Sequence, residues 1–238
     1  MRPQVKTPNG APDLQKGRKE EHFMAMSFYN KDQRIFYIND IISNETLGEI
    51  SQALIEILFE DSARAQLEKQ FAPTPISIFI NSDGGNLEET MGFIHLLDMQ
   101  LAEVDTFCLG YAYSGAFKIF LAGDNRYITP TTTLMYHTLS TNLPELKFGD
   151  LENSVDRLTV LQNQIEEYVL ERTKISKERL EKVRNEKIDW FIDPKDAIEL
   201  GIATDIIDSN DAEDGESKEN ENDKDFEKAM CGRSRKGA

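Results

Sequence analysis

Ser114 stands in Leu109-Gly110-Tyr111-Ala112-Tyr113-Ser114-Gly115-Ala116-Phe117, with an apolar run on either side. Small residues crowd a single hydroxyl where a strand hands over to a helix. Such a turn holds the serine at a helix N-terminus, where free backbone N–H groups and the helix dipole favour negative charge. An acyl-transfer nucleophile needs that environment, because the tetrahedral intermediate carries an oxyanion. A helix-capping serine uses the same residue types. The partners of Ser114 decide between the two.

A hydroxyl at its ordinary pKa is inert without a base within hydrogen-bond reach, and the chain has three histidines. His22 lies in a polar N-terminal stretch, and His95 lies on a helix beside Ile94 and Leu97. His137 ends a short strand about one βα unit after Ser114, at the same sheet edge, and is the candidate base. For the acid that orients it, spacing leaves Asp124, Asp150, Asp156, Asp189 and Asp193 open. Gly84-Gly85 also follows a strand and lets backbone come close to a substrate, as an oxyanion hole requires. The plainer reading of that pair is a tight turn.

The elements that must position these residues alternate along the chain. Strands are expected at 34–38, 76–80, 106–109, 127–129 and 133–136, with a terminal strand at 202–207. Between them, Leu47, Ile50, Leu54 and Ile57 or Leu58 recur at helical spacing after a cap at Ser43 or Asn44. Leu87, Met91, Ile94 and Leu97 mark a second helix, and a third follows Ser114 to about Ala122. Leu151, Val155, Leu158, Ile165 and Val169 mark a long one, and a last runs from Pro194 to Leu200. Strand and helix in this alternation predict an α/β fold with βαβ crossovers and a largely parallel sheet. The two glycine-containing turns then meet at its carboxyl edge, where ligands bind.

At 238 residues the chain is long enough for one sizeable core. A net charge of −16 argues against binding a nucleic-acid backbone. No stretch reaches the roughly 18 apolar residues of a membrane span, and 1–22 lacks the apolar core of a signal peptide. Two cysteines, Cys108 and Cys231, make no disulfide framework, and a cytoplasmic location fits them. We read 1–22 as a mobile arm, 23–207 as one domain, and 208–238 as an acidic disordered tail.

Four blocks in order now resemble a known family. Ile78-Phe79-Ile80-Asn81-Ser82-Asp83-Gly84-Gly85, the Ser114 turn, Leu134-Met135-Tyr136-His137, and Asp189-Trp190-Phe191 ahead of Ala197-Ile198-Glu199-Leu200-Gly201 look like the proteolytic subunit of the Clp protease. The similarity runs from about Arg34 to Ile207. The resemblance implies a crotonase-like spiral of βαβ units, with a handle of one strand and a long helix over about 139–174. It implies a serine endopeptidase with Ser114 as nucleophile, His137 as general base and Asp189 as the acid that orients it. Oxyanion-hole amides would come from Gly84 and Gly115, with no metal and no organic cofactor. It further implies a homo-oligomeric ring, a heptamer or double ring, fed unfolded polypeptides by an ATP-driven AAA+ unfoldase.

The chain departs from the family pattern at Asp83, where proline is usual, and at Gly115, where methionine usually follows the nucleophile. Pro144 removes a ladder donor from the handle strand, and Trp190 stands where an arginine usually follows the aspartate closely. Two alternatives share the fold: a phage-type capsid maturation protease, and a non-catalytic subunit of a mixed ring.

Overall fold

The computed structural model describes residues 27–140 and 148–208. The expected arm over 1–22 lies outside them, as do the tail beyond Asp208 and residues 141–147 of the expected handle strand. The elements are β1 (Phe28–Asn30), β2 (Ile35–Ile38), α1 (Asn44–Leu67), β3 (Ile76–Ser82), α2 (Leu87–Asp98), β4 (Val104–Tyr113) and α3 (Gly115–Leu121). They continue as β5 (Asn125–Ile128), β6 (Thr133–Tyr136), α4 (Phe148–Arg172), α5 (Lys177–Glu186), β7 (Trp190–Ile192), α6 (Pro194–Glu199) and β8 (Asp205–Ile206).

The described strands form one eight-stranded sheet with the path β1-β2-β3-β4-β5-β8. Pairing is parallel from β2 through β8 and antiparallel only at β1·β2 and β6·β7. Strand β3 shows why the sheet has a helix-covered face. Ile76, Ile78 and Ile80 are buried and alternate with half-buried Ser77, Phe79 and Asn81, the period-2 pattern of a strand packed on one side. On the other face Phe79, Phe107 and Tyr127 stack across three strands, with ring centroids 4.7 and 4.8 Å apart. Aromatic neighbours in register contribute to sheet stability beyond their buried area.

Helix α1 begins with a reciprocal cap. The Ser43 side chain accepts from Thr46 N–H, and Thr46 Oγ1 accepts from Ser43 N–H at 2.8 Å. Leu47, Ile50, Leu54 and Ile57 are buried, all 2% exposed or less, so the helical spacing points inward as expected. The helix runs on through Asp61, which is 1% exposed and receives both Arg34 nitrogens at 2.7 and 2.6 Å. Asp61→Ala would leave that half-buried guanidinium with only the Thr74 carbonyl as acceptor, and should lower stability by about 1.5–3 kcal/mol. Urea denaturation checks it: the midpoint falls steeply, whereas Glu68→Ala on the exposed surface leaves it almost unchanged.

Strand β4 is longer than the expected 106–109. It continues through Gly110 to Tyr113 because its far edge takes two partners in succession, β5 at Asp105–Cys108 and then β6 at Tyr111–Tyr113. The change of partner coincides with a register shift against β3 between Ile80 and Ser82. Asn81 fills that irregularity, with Oδ1 accepting from Tyr111 N–H at 3.4 Å. A side chain on Gly110 would meet the same Oδ1 at 2.5 Å. Helix α4 packs Ile165 and Val169 into the core. The first half of its apolar stripe does not follow, since Leu151 and Val155 stand 40% and 50% exposed.

Candidate active site

Ser114 joins β4 to α3, but it is not a capping serine. Ser43 and Ser176 show what capping looks like here: negative φ of −148° and −80°, and side chains that accept from an amide in the first turn. Ser114 has φ 53° and ψ −113° and makes no side-chain cap bond. A positive φ away from glycine stores about 1–3 kcal/mol of strain and persists only where surrounding structure enforces it. Two contacts do so. Ser114 N–H donates to Met135 O at 3.0 Å, which ties the turn to β6. Gly84, at φ 92°, packs so closely that a Cβ there would lie 2.6 Å from Tyr113 O and 2.9 Å from Ser114 Cβ.

The Gly84-Gly85 pair is a strand-to-helix turn between β3 and α2, held by Ile42 rather than closed as a hairpin. Ile42 N–H donates to Gly84 O, and Asn86 N–H donates to Ile42 O, both at 2.8 Å. A Cβ on Gly85 would strike Ile42 O at 2.2 Å. The two amides differ in availability. Gly84 is buried and its N–H donates to Ser82 Oγ at 3.1 Å. Gly85 is exposed and its N–H has no acceptor among the described residues. Gly115 N–H is likewise free of a protein acceptor there.

His137 directly follows β6 and is half-buried. It lines the same cleft as Ser114, about 270 Å³ in volume, together with Gly85, Gly115 and Lys118. Burial holds its pKa below the ordinary imidazole value, the Lys118 charge adds to that effect, and the Asp189 charge opposes both. Asp189 owes its position to the antiparallel pairing of β6 with β7. Tyr136 faces Trp190 in that ladder, so one further residue sets His137 against Asp189. The other acids left open by spacing are elsewhere. Asp124 accepts from Val104 N–H at 2.8 Å, and Asp193 caps α6 by accepting from Asp196 N–H at 2.9 Å. Asp150 and Asp156 are exposed on α4. His95 is exposed on α2, and His22 lies outside the described residues.

Sequence reading missed Lys118. Its signal was a lysine inside the apolar run Ala116–Leu121, four residues after Ser114 and so on the same helical face. Cys108, also buried, is no competing nucleophile, because desolvation pushes its thiol up to about 12. Among the described residues no three His, Cys, Asp or Glu side chains group as a metal site. None of the described helices is long and apolar enough to cross a membrane.

The arrangement offers what acyl transfer needs: a strained, uncapped serine, an imidazole held below its ordinary pKa on the same cleft, and two amides without acceptors among the described residues. A model of the Clp protease family matches residues 18–210. The chain belongs to the Clp protease family. This Clp-type peptidase is 26% identical over 200 residues to the ATP-dependent Clp protease proteolytic subunit of Deinococcus radiodurans, covering 82% of this chain and 89% of that protein. Over 186 residues it is 23% identical to the ATP-dependent Clp protease proteolytic subunit 1 of Thermobifida fusca, covering 76% and 78%. The subunit 1 of Bacillus cereus is 25% identical over 171 residues, covering 70% and 83%. At this identity the Clp-type peptidase is a divergent member, and its Lys118 and Asp83 must be understood from its own structure.

Proposed function

We propose that the chain is a serine endopeptidase that hydrolyses unfolded polypeptides, with Ser114 as nucleophile, His137 as general base and Asp189 orienting the imidazole. The observation that carries this reading is Ser114 itself, which shares a cleft with His137 and forms no cap bond. In the mechanism, His137 takes the Ser114 proton as Oγ attacks the peptide carbonyl. It then protonates the leaving amine, and water resolves the acyl-enzyme. Asp189 remains ionised and stabilises the imidazolium. For the oxyanion donors we favour Gly115 with Gly85 over the expected Gly115 with Gly84, because the Gly84 amide is engaged by Ser82. The crotonase-like spiral, the handle and the ring belong to the same proposal. The exposed Leu151, Val155 and Val160 on α4 support a further subunit packing there. The relatives' names give ATP dependence and a proteolytic subunit, and an ATP-driven unfoldase as partner is what the family resemblance implies.

The experiment is fluorophosphonate labelling of the purified full chain, with native mass measurement alongside. Labelling at Ser114 and a ring of about seven or fourteen subunits are expected. A folded, assembled protein that does not label would overturn the catalytic reading and favour a non-catalytic subunit.

The low pKa of His137 has a measurable consequence. The base must be neutral to act, and a lowered pKa keeps it neutral further into acid. The acid limb of kcat/KM against pH should therefore lie below 6.5, the ordinary imidazole value. A limb at or above that value would contradict the burial and charge arrangement around His137.

A further inference from the structure

Lys118 is a buried cation with no anion beside it among the described residues. Its residue is 3% exposed. Nζ donates to Ser114 O at 3.2 Å and lies 5.8 Å from the centre of the Tyr136 ring. No carboxylate pairs with it among the described residues, and its other two donors have no acceptor there. From mid-helix its Nζ reaches back to the carbonyl that opens α3, which sets the charge toward the positive end of the helix dipole. Burial of an ammonium under these terms is destabilising, and a methionine or leucine would pack there without the penalty. Desolvation draws the ammonium down to about 8, and an anion placed beside it would raise it again. Such a group is supported by what enters the cleft.

We infer that Lys118 is the specificity-determining residue of the cleft and receives the carboxylate of an acidic side chain, glutamate or aspartate, on the residue whose carbonyl Ser114 attacks. This rests on the peptidase reading above and names its substrate class. Reach makes the assignment. Nζ is within hydrogen-bond distance of the Ser114 backbone, one helical turn from the nucleophile. A carbonyl carbon in attack position stands about 3 Å from the serine oxygen. The side chain of that same residue branches one atom from that carbon, which makes it the substrate group expected nearest to Nζ. The cleft walls suit a glutamyl stem, since Leu139, Leu158 and Leu161 line it together with Lys118. Among the described residues lining the cleft the one acid, Glu88, is turned to solvent and pairs with Arg157 at 3.4 Å. A role for Lys118 as the base is not what the geometry favours: its hydrogen bond goes to the Ser114 carbonyl and not to the hydroxyl.

The test separates specificity from catalysis. Fluorescein-labelled peptides identical except for a final Glu, Gln or Leu are titrated into Ser114→Ala protein by anisotropy, which needs no turnover. A charge-assisted hydrogen bond in a desolvated site predicts that the Glu peptide binds about 10- to 100-fold tighter than the Gln peptide. In Ser114→Ala/Lys118→Met the preference should vanish or invert toward Leu. Equal binding of Glu and Gln peptides, or a preference that survives Lys118→Met, overturns the inference. In parallel, wild type is given peptidyl-coumarin amides with the same three residues before the coumarin. Binding discrimination without any hydrolysis or labelling would sink the peptidase reading and leave the acidic pocket standing. Hydrolysis with no preference for Glu would do the reverse. Lys118→Met is also expected to melt at a higher temperature than wild type, as removal of an uncompensated buried charge requires.

Discussion

Ser114→Ala is expected to abolish fluorophosphonate labelling and to reduce peptide hydrolysis by about 10⁶-fold, the scale seen when a serine peptidase loses its nucleophile. The reason lies in the geometry of the turn. Its hydroxyl makes no cap bond, so removing it takes nothing from the helix and everything from acyl transfer. Folding should therefore be indifferent to the change, and a thermal melt within a degree or so of wild type is the control. A second substitution makes the strain visible. Ser114 holds φ at 53°, a value glycine adopts freely and alanine does not. Ser114→Gly should thus be equally inactive but more stable than Ser114→Ala, by about 1 kcal/mol. An active Ser114→Ala protein would remove the nucleophile from the proposal. A Ser114→Gly protein no more stable than the alanine variant would mean that the turn is held without strain.

His137→Ala should be almost as damaging, because nucleophile and base act as a unit and their losses do not add. Asp189→Asn should reduce kcat by about 10³- to 10⁴-fold, by analogy with other triads in which the orienting acid is neutralised. The pH profile gives Asp189 a readout that a merely structural residue would not move. Its charge raises the His137 pKa, whereas the Lys118 charge lowers it. Residual activity of Asp189→Asn should therefore have an acid limb shifted to lower pH, and Lys118→Met one shifted to higher pH. Opposite shifts from substituting two oppositely charged neighbours of one imidazole are hard to obtain by general damage. A fully active Asp189→Asn enzyme would show that another group orients His137. An unmoved acid limb in both variants would mean that the titrating base is not His137.

Some of this was legible from residue types alone because the relevant physics is local. The β-branched run Ile76–Ile80 and the helical spacing from Leu47 to Ile57 each encode their element within a few residues, and both elements bury the side that the pattern predicts. Elements with thin patterns were missed. Helix α5 buries only Leu180 and Val183 from an otherwise charged segment, and β1 is three exposed residues with no alternation. Strand β7, also three residues, exists because β6 presents an edge to it. Its importance exceeds its length, since it delivers Asp189.

The sequence by itself determined the order of strands and helices, the strand-to-helix turns that carry Ser114 and Gly84-Gly85, and the scarcity of histidine that singled out His137. Only the tertiary structure decided that Ser114 is strained and uncapped, that the β6·β7 pairing brings Asp189, the acid the resemblance implied, beside His137, and that Gly85 rather than Gly84 keeps its amide free. It alone made Lys118 a buried cation at the nucleophile rather than one lysine in an apolar helix. The physical reason is range. Periodicity and capping are settled between residues three or four apart. Whether an amide or a charge finds a partner depends on Ile42 meeting Gly84 and Gly85, on Met135 holding Ser114, and on β7 returning beside β6. Those meetings exist only once the chain has packed.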